Sequence, residues 1–320
     1  MEFNRRTGRV FGHFKFEVSI VAMLVLFCSF STSVVADESY QFSLDGSGAE
    51  IDYSSAEGEA YSLSAAAYLY PIKLDGSVPF NVPPFYSRTS GLFFGTSKHR
   101  VTDLRTVRGS RVLNKFDGHR SYGSLRLATE NTPFWFEFDY SRIGTSTLNF
   151  SDGGWATSYR RYIKNYTAGM FIGKALSFYG FYEDDVTDSY GAGVRYLYTM
   201  AHLGFVEAGF QYTEIDTERI DLEVVNATVK KVNVLSVNED NKSFSLSYFP
   251  VVEAEIGLKY QRQDHNYDAR GNYWHINAGY FITSNLRLGI GYSHMDYNFP
   301  AERLGHLEYK VLNGNVSLKF

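Results

Sequence analysis

Cysteine is almost missing from this chain: Cys28 is the only one among 320 residues, so no CxxC pair exists. Proline is scarce, at 7 residues, and no glycine-rich phosphate loop or HExxH helix occurs. Beyond the N-terminus no apolar run approaches the roughly 20 residues that a transmembrane helix needs. Positive charge is not in excess either. The formal net charge of −4 argues against a nucleic-acid binder, which would be basic and patchy. These gaps leave a chain with no cofactor motif and no metal motif, for which no cofactor is expected.

Aromatic residues, in contrast, are abundant. Tyr 25, Phe 26 and Trp 3 make up 17% of the chain, although charged residues at 21% and hydrophobic residues at 44% resemble a soluble protein. Amphipathic rings suit membrane interfaces, and a carbohydrate-binding β protein is the other aromatic-rich alternative. The N-terminus reads as a targeting segment. Arg5, Arg6, Arg9 and Lys15 precede the apolar run Ser19–Phe30, and Val34-Val35-Ala36 supplies small residues for cleavage. Residues 1–36 are therefore expected to be a signal peptide and 37–320 the mature domain. Bulky Phe27 before Cys28 argues against a lipoprotein. Cleavage removes four basic and two acidic residues, taking the formal charge from −4 to −6 and leaving no cysteine.

The C-terminal stretch shows the pattern of the mature chain most clearly. Trp274, Ile276, Ala278, Tyr280 and Ile282 share one parity, and Leu286, Leu288, Ile290 and Tyr292 share the next. Between them lie His275, Asn277, Gly279, Arg287, Gly289 and Ser293. Period two makes each run a strand with one apolar and one polar face. Thr283-Ser284-Asn285 is long enough only for a tight turn, so the two form a hairpin. The same unit recurs upstream, as in FWFEFDYSR, where Phe134, Phe136, Phe138 and Tyr140 oppose Glu137 and Asp139.

Two turn classes alternate. Lys174–Leu176, Met200–Leu203, Pro250 and Thr283–Asn285 are short, while the intervening connections are long and charged. Fourteen strands are predicted, near 40–50, 59–70, 85–97, 119–129, 134–148, 160–173, 177–185, 189–199, 204–215, 242–249, 252–263, 272–282, 285–297 and 309–320. Twelve or 16 are the alternatives, because Ser97–Arg120 and the stretch after Ile215 read two ways. Pro71–Pro84 holds four prolines and is read as a connection. Thr217–Lys242 is a long polar insertion with an extended hairpin as one reading.

Several runs hold parity for nine or more residues, longer than the five or six usual in a soluble sandwich, which is the rival fold. Runs near ten residues, short turns at one end and long loops at the other suit an all-β, transmembrane antiparallel β-barrel. The hairpin YWHINAGYFITSNLRLGIGYSHMDY, the early AYLYPI…PPFYSRTSG and the ending VSLKF resemble the general porins of Gram-negative bacteria, and outer-membrane porins more broadly. That resemblance covers the whole mature chain and rests on pattern. It implies an outer-membrane channel for small hydrophilic solutes, with the barrel assembly machinery reading the terminal Phe320. Gly314 lies one position off the usual spacing of that assembly signal. Many porins are trimers, so a homo-oligomer is a further implication, although no strand marks a trimer face. Outer-membrane lipid and lipopolysaccharide would surround such a barrel.

Parity sends Arg126, Glu137, Asp139, Arg195, Glu207, Gln211, Glu253, Glu255, Lys259, His275, Asn277 and Arg287 inward. Fourteen strands leave room for a narrow aqueous lumen, and a lining of both signs suits passive diffusion. Lys98–Arg120 is the longest basic patch, with seven cations against two anions, a net +5. It reads as a solvated loop, as a mouth lining in which Arg105, Arg108 and Arg111 favour anions, or as an outer surface pairing with lipid phosphates. No enzyme is expected. Seven histidines lie in the mature chain, and none sits in a setting that singles it out as a catalytic base. His275 and Ser293 read as a lumen-lining pair. Asp184, Asp185 and Asp188 read as a solvated loop, with cation ligation as the alternative. The competing function is a non-conducting surface barrel that binds partners through long loops, chiefly Thr217–Lys242.

Overall fold

A computed structural model describes residues 39–53, 56–74, 79–81, 88–107, 110–129, 131–149, 155–184, 187–225, 228–265, 270–298 and 306–320. Over 53, 103–107, 110–114, 147–149, 155–157, 159, 187, 217–225 and 228–237 it describes the backbone alone. The expected signal peptide, 1–36, lies outside the described residues.

The described chain is β-structure throughout. The strands are β1 (Ser39–Tyr53), β2 (Ala56–Lys73), β3 (Gly91–Val107), β4 (Ser110–Ala128), β5 (Phe134–Asn149), β6 (Trp155–Ile172) and β7 (Leu176–Asp184). They continue with β8 (Thr187–Met200), β9 (Gly204–Val225), β10 (Thr228–Phe249), β11 (Ala254–His265), β12 (Arg270–Thr283), β13 (Leu286–Asn298) and β14 (His306–Lys319). Each pairs antiparallel with its sequence neighbours, and β1 pairs with β14 from Ser43↔Lys319 to Tyr53↔Tyr309, closing a 14-stranded barrel. Closure leaves no sheet edge within the wall, so the backbone groups there are paired without water. The terminal residue takes part: the Phe320 carbonyl accepts from Gln41 and Phe42, and its amide donates to Phe42.

Alternation sorts the side chains. Phe94, Leu127, Phe136, Ile172, Ile256, Ile276, Ile282, Ile290 and Leu312 point outward and stay exposed. Aromatic pairs flank this apolar belt, among them Tyr140–Tyr162 and Tyr196–Tyr198, with centroids 6.1 and 6.3 Å apart. An apolar outer band between aromatic girdles is the surface that lipid requires.

Three boundaries differ from the sequence reading. Pro71 belongs to β2 rather than to the connection. Between the pairs Tyr40↔Ile72 and Phe42↔Ala67 the strand carries a large bulge, and Pro71 sits there, where no ladder donor is needed. β3 starts at Gly91, not near residue 85. The basic stretch Lys98–Arg120 is not a loop but most of the β3–β4 hairpin, paired as far as Val107↔Ser110. The insertion after Ile215 adopts the extended-hairpin alternative. β9 and β10 stay paired to Thr228↔Val225, well past the last rung with β8, Thr187↔Thr217, and with β11, Glu239↔His265.

Candidate functional site: the barrel interior

Inside the short-turn end, three apolar clusters form an incomplete collar: Tyr40, Tyr68 and Ile72; Ala128, Trp135 and Phe171; and Leu197 with Phe249. One step inward the wall turns polar, and three Arg–Glu pairs mark that layer. Arg126 on β4 pairs with Glu137 on β5 at 2.6 Å. Arg195 on β8 meets Glu207 on β9 at 3.3 Å. Arg287 on β13 reaches across β12 to Glu255 on β11 at 2.9 Å. That last reach depends on Gly279, where any side chain would collide with the Arg287 guanidinium.

Between β4 and β11 the layer opens into a cavity of ≈ 430 Å³, lined by Arg126, Glu137, Asp139, Arg195, Gln211 and Lys259 among others. Asn165 donates to Asp139 at 3.3 Å, and the Tyr179 hydroxyl donates to Gln211 at 3.1 Å. A second space of ≈ 400 Å³ shares Asn165, Thr167, Tyr179 and Gln211 and continues toward the long-hairpin end past Glu183 and Thr213.

The opposite side is covered from within. The connection from β2 to β3 is the one exception to short turns at this end, and its residues Phe80, Asn81 and Arg88 reach other parts of the wall. The Phe80 amide donates to the Val252 carbonyl at 2.9 Å, and Lys319 donates to the Phe80 carbonyl. The Phe80 ring stands edge-on to Phe281 at 5.7 Å. Asn81 donates to Glu255 at 2.5 Å. Arg88 then donates to the Gly173 carbonyl in the β6–β7 turn and lies over Phe171, 4.8 Å from its centroid. Counted around the wall, Glu255 is five strands from β2, and Phe171 is three from β3. A loop following the rim from β2 to its neighbour β3 would meet neither, so the described residues of this connection reach across the mouth. The sequence identified it as a connection from its prolines, but nothing in it named the far-side partners.

Several expected lining residues fall in one neighbourhood and others do not. Arg126, Glu137, Asp139, Arg195, Gln211 and Lys259 surround the cavity. Glu255, Asn277 and Arg287 join under the crossing segment, where Asn277 and Ser247 also donate to Glu255 at 3.2 and 3.3 Å. Glu253 lies in the turn just before β11, where its carbonyl accepts from the Phe281 amide of β12 at 2.9 Å. Arg108 lies outside the described residues. The backbone of Arg105 and Arg111 belongs to the β3–β4 tip, beyond the last rungs with β2 and β5, Ala56↔Asp103 and Asn114↔Asn149.

His275 and Ser293 are paired by register, with Nδ1 and Oγ 2.8 Å apart. The Tyr273 hydroxyl also reaches Ser293, at 3.2 Å. Among the described residues no carboxylate hydrogen-bonds the His275 ring, so the third member of a catalytic relay is lacking there. Asp184 pairs with Lys164 at 3.1 Å and Asp188 accepts from Tyr182 at 3.1 Å, while Asp185 lies outside the described residues. At the long-hairpin rim of β11, beyond the apolar belt, the Arg262 guanidinium holds the Asp264 carboxyl below the usual carboxylate range.

No family model matches the chain, and no curated protein matches it in sequence. Solved structures do match in shape. The chain is similar to the outer membrane protein Omp33 of Acinetobacter baumannii, at 14% identity and TM-score 0.52, covering 88% of this chain and 99% of that one. It is also similar to a deltaS2S3 mutant of the monoaromatic hydrocarbon channel TodX, at 10% identity and TM-score 0.59, covering 89% and 91%. A FadL homologue of Pseudomonas aeruginosa aligns at 9% identity and TM-score 0.55, covering 88% and 90%. At such identities the likeness establishes the fold, which is that of a Gram-negative outer-membrane β-barrel.

Proposed function

We propose that this chain is an outer-membrane channel of the porin type, through which small hydrophilic solutes and ions diffuse passively. The observation that carries this reading is the polar layer of three Arg–Glu pairs and its cavity, enclosed by a barrel whose outer face is apolar. Fixed charges of both signs replace hydration for a passing polar solute without holding it. TodX is described as a monoaromatic hydrocarbon channel; a cavity with two arginines, a lysine and two carboxylates is a poor solvent for such a molecule and a good one for a sugar or a zwitterion.

In this reading the short turns face the periplasm and the long hairpins the exterior. The Arg–Glu layer, with Asp139 and Lys259, sets selectivity, and Phe320 is the residue that the assembly machinery engages. No bond is broken and no cofactor is used. The crossing segment narrows the periplasmic mouth on the Glu255 side and leaves the cavity side as the path.

Single-channel recording of the purified barrel in planar bilayers, with neutral sugars of increasing size added to one side, tests the proposal. Stepwise conductance that falls as sugars enter is expected. Silence across many insertions would overturn the channel reading. It would favour the second one, a non-conducting surface barrel, for which the β9–β10 hairpin standing clear of its neighbours is the supporting observation. That reading expects partner binding to vanish when residues 219–235 are replaced by a short turn.

A further inference from the structure

Above the girdle at the long-hairpin end, the outer face of the barrel is divided by charge. On β3–β6 the outward, exposed residues include Lys98, Arg100, His119, Arg142, Arg160 and Lys164. On β8–β10 the same face carries Asp188, Glu214, Asp216 and Asp240 alongside the exposed Lys242. The two arcs differ in more than sign. Two of the four acids accept from tyrosines of the girdle, Asp188 from Tyr182 at 3.1 Å and Asp240 from Tyr212 at 2.8 Å, and a third, Glu214, lies opposite Tyr190. Among the cations, Arg100 bonds Asp117 at 2.8 Å and Lys164 pairs with Asp184. Among the described residues, Lys98, Arg142 and Arg160 have no carboxylate partner.

Register gathers these three. Lys98 lies opposite His119, His119 opposite Gly144, and Gly144 opposite Arg160, so one row crosses four strands. Neighbouring strands are about 4.8 Å apart, which makes the row about 15 Å wide. Arg142 sits one step below, between Ser121 and Tyr162. The floor between the cations is small: Gly144 bears no side chain, and one there would collide with the His119 ring lying over it. Tyr162, which flanks Arg142, stacks with Tyr140 one step further down; Phe94 shares the row of Tyr140, and Leu125 and Phe136 of the apolar belt follow. A molecule matching this surface has an anionic head at the level of the cations and hydrocarbon below it.

We infer that the outer face of β3–β6 binds a phosphate-bearing lipid of the leaflet at the long-hairpin end. Arg142 and Arg160 supply forks for phosphate oxygens, Lys98 a point charge, and the acyl chains lie on the belt. Lipopolysaccharide is a lipid of this chemistry. The inference rests on the membrane fold and not on conduction, so either can fail alone.

Native mass spectrometry of the detergent-purified barrel tests it, with lipid A as the probe against the same lipid enzymatically dephosphorylated. Charge-assisted hydrogen bonds to phosphate are strong, so the variant Lys98→Gln/Arg142→Gln/Arg160→Gln should bind lipid A about tenfold less or weaker. The control Lys242→Gln/Arg262→Gln, at the border of β10 and β11 on the other side of the barrel, should bind as the parent does. Both variants should keep the parent's folded, heat-modifiable mobility and its conductance. Dephosphorylated lipid should bind the parent no better than lipid A binds the triple variant. Equal binding of the two lipids, or an unchanged triple variant, would overturn the site. So would displacement of lipid A by millimolar inorganic phosphate, which would mark a free-anion site.

Discussion

The two sides of the lumen at the short-turn end use the same chemistry under different cover. Arg126–Glu137 and Arg287–Glu255 are both close ion pairs in a wall of small polar residues, with the first pair 18% and 19% exposed and the second 11% and 10%. On the first side a cavity adjoins the pair. On the second, Asn81 occupies Glu255, the Phe80 carbonyl takes Lys319, and the Phe80 ring seals against Phe281. An ion pair on a barrel wall therefore has no fixed role. It lines a cavity where the wall is open, and it anchors a crossing segment where the chain covers it.

Replacing residues 75–87 by a short Gly/Ser turn should break the comparison most completely. With the cover gone, both sides become path, and single-channel conductance should rise severalfold, since a 14-stranded wall is wide enough to hold water across its whole section. An unchanged conductance would show that the crossing segment does not limit flow.

The same substitution on each side sharpens the contrast next. Arg287→Ala leaves Glu255 nearly buried with only neutral donors, a loss of about 3 kcal/mol in urea unfolding from detergent. Arg126→Ala leaves Glu137 beside water and should cost only about 1 kcal/mol. Conductance should respond in the opposite order, with Arg126→Ala raising cation preference and Arg287→Ala changing it little. Equal stability losses would mean that cover does not decide what the pairs do.

Much of this was legible before the structure. All 14 strands, their parity and the inward direction of Arg126, Glu137 and Arg195 follow from period two, because lipid on one side and water on the other make alternation strict. The ends of strands were less legible. Beyond the belt both faces meet water, so Lys98–Arg120 and Thr217–Lys242 lose their pattern while keeping their ladder. The crossing segment was the least legible part. The contacts of Asn81 with Glu255 and of Lys319 with Phe80 join residues 174 and 239 positions apart, and no periodicity encodes such a pairing.

The smallest expected effect lies farthest from either side of the lumen. Arg105 and Arg111 belong to a hairpin tip beyond the last rungs with β2 and β5, and Arg108 belongs to the same sequence stretch. If these arginines act on permeation at all, they act through the field at the outer mouth, which salt screens within about 10 Å at 0.1 M. Arg105→Ala/Arg108→Ala/Arg111→Ala should therefore shift the reversal potential in a salt gradient by a few millivolts toward cations at low salt, and by nothing measurable at 1 M, where screening falls to about 3 Å. A shift that persists at high salt would place these side chains inside the path, and the two-sided description of the lumen would need a third wall.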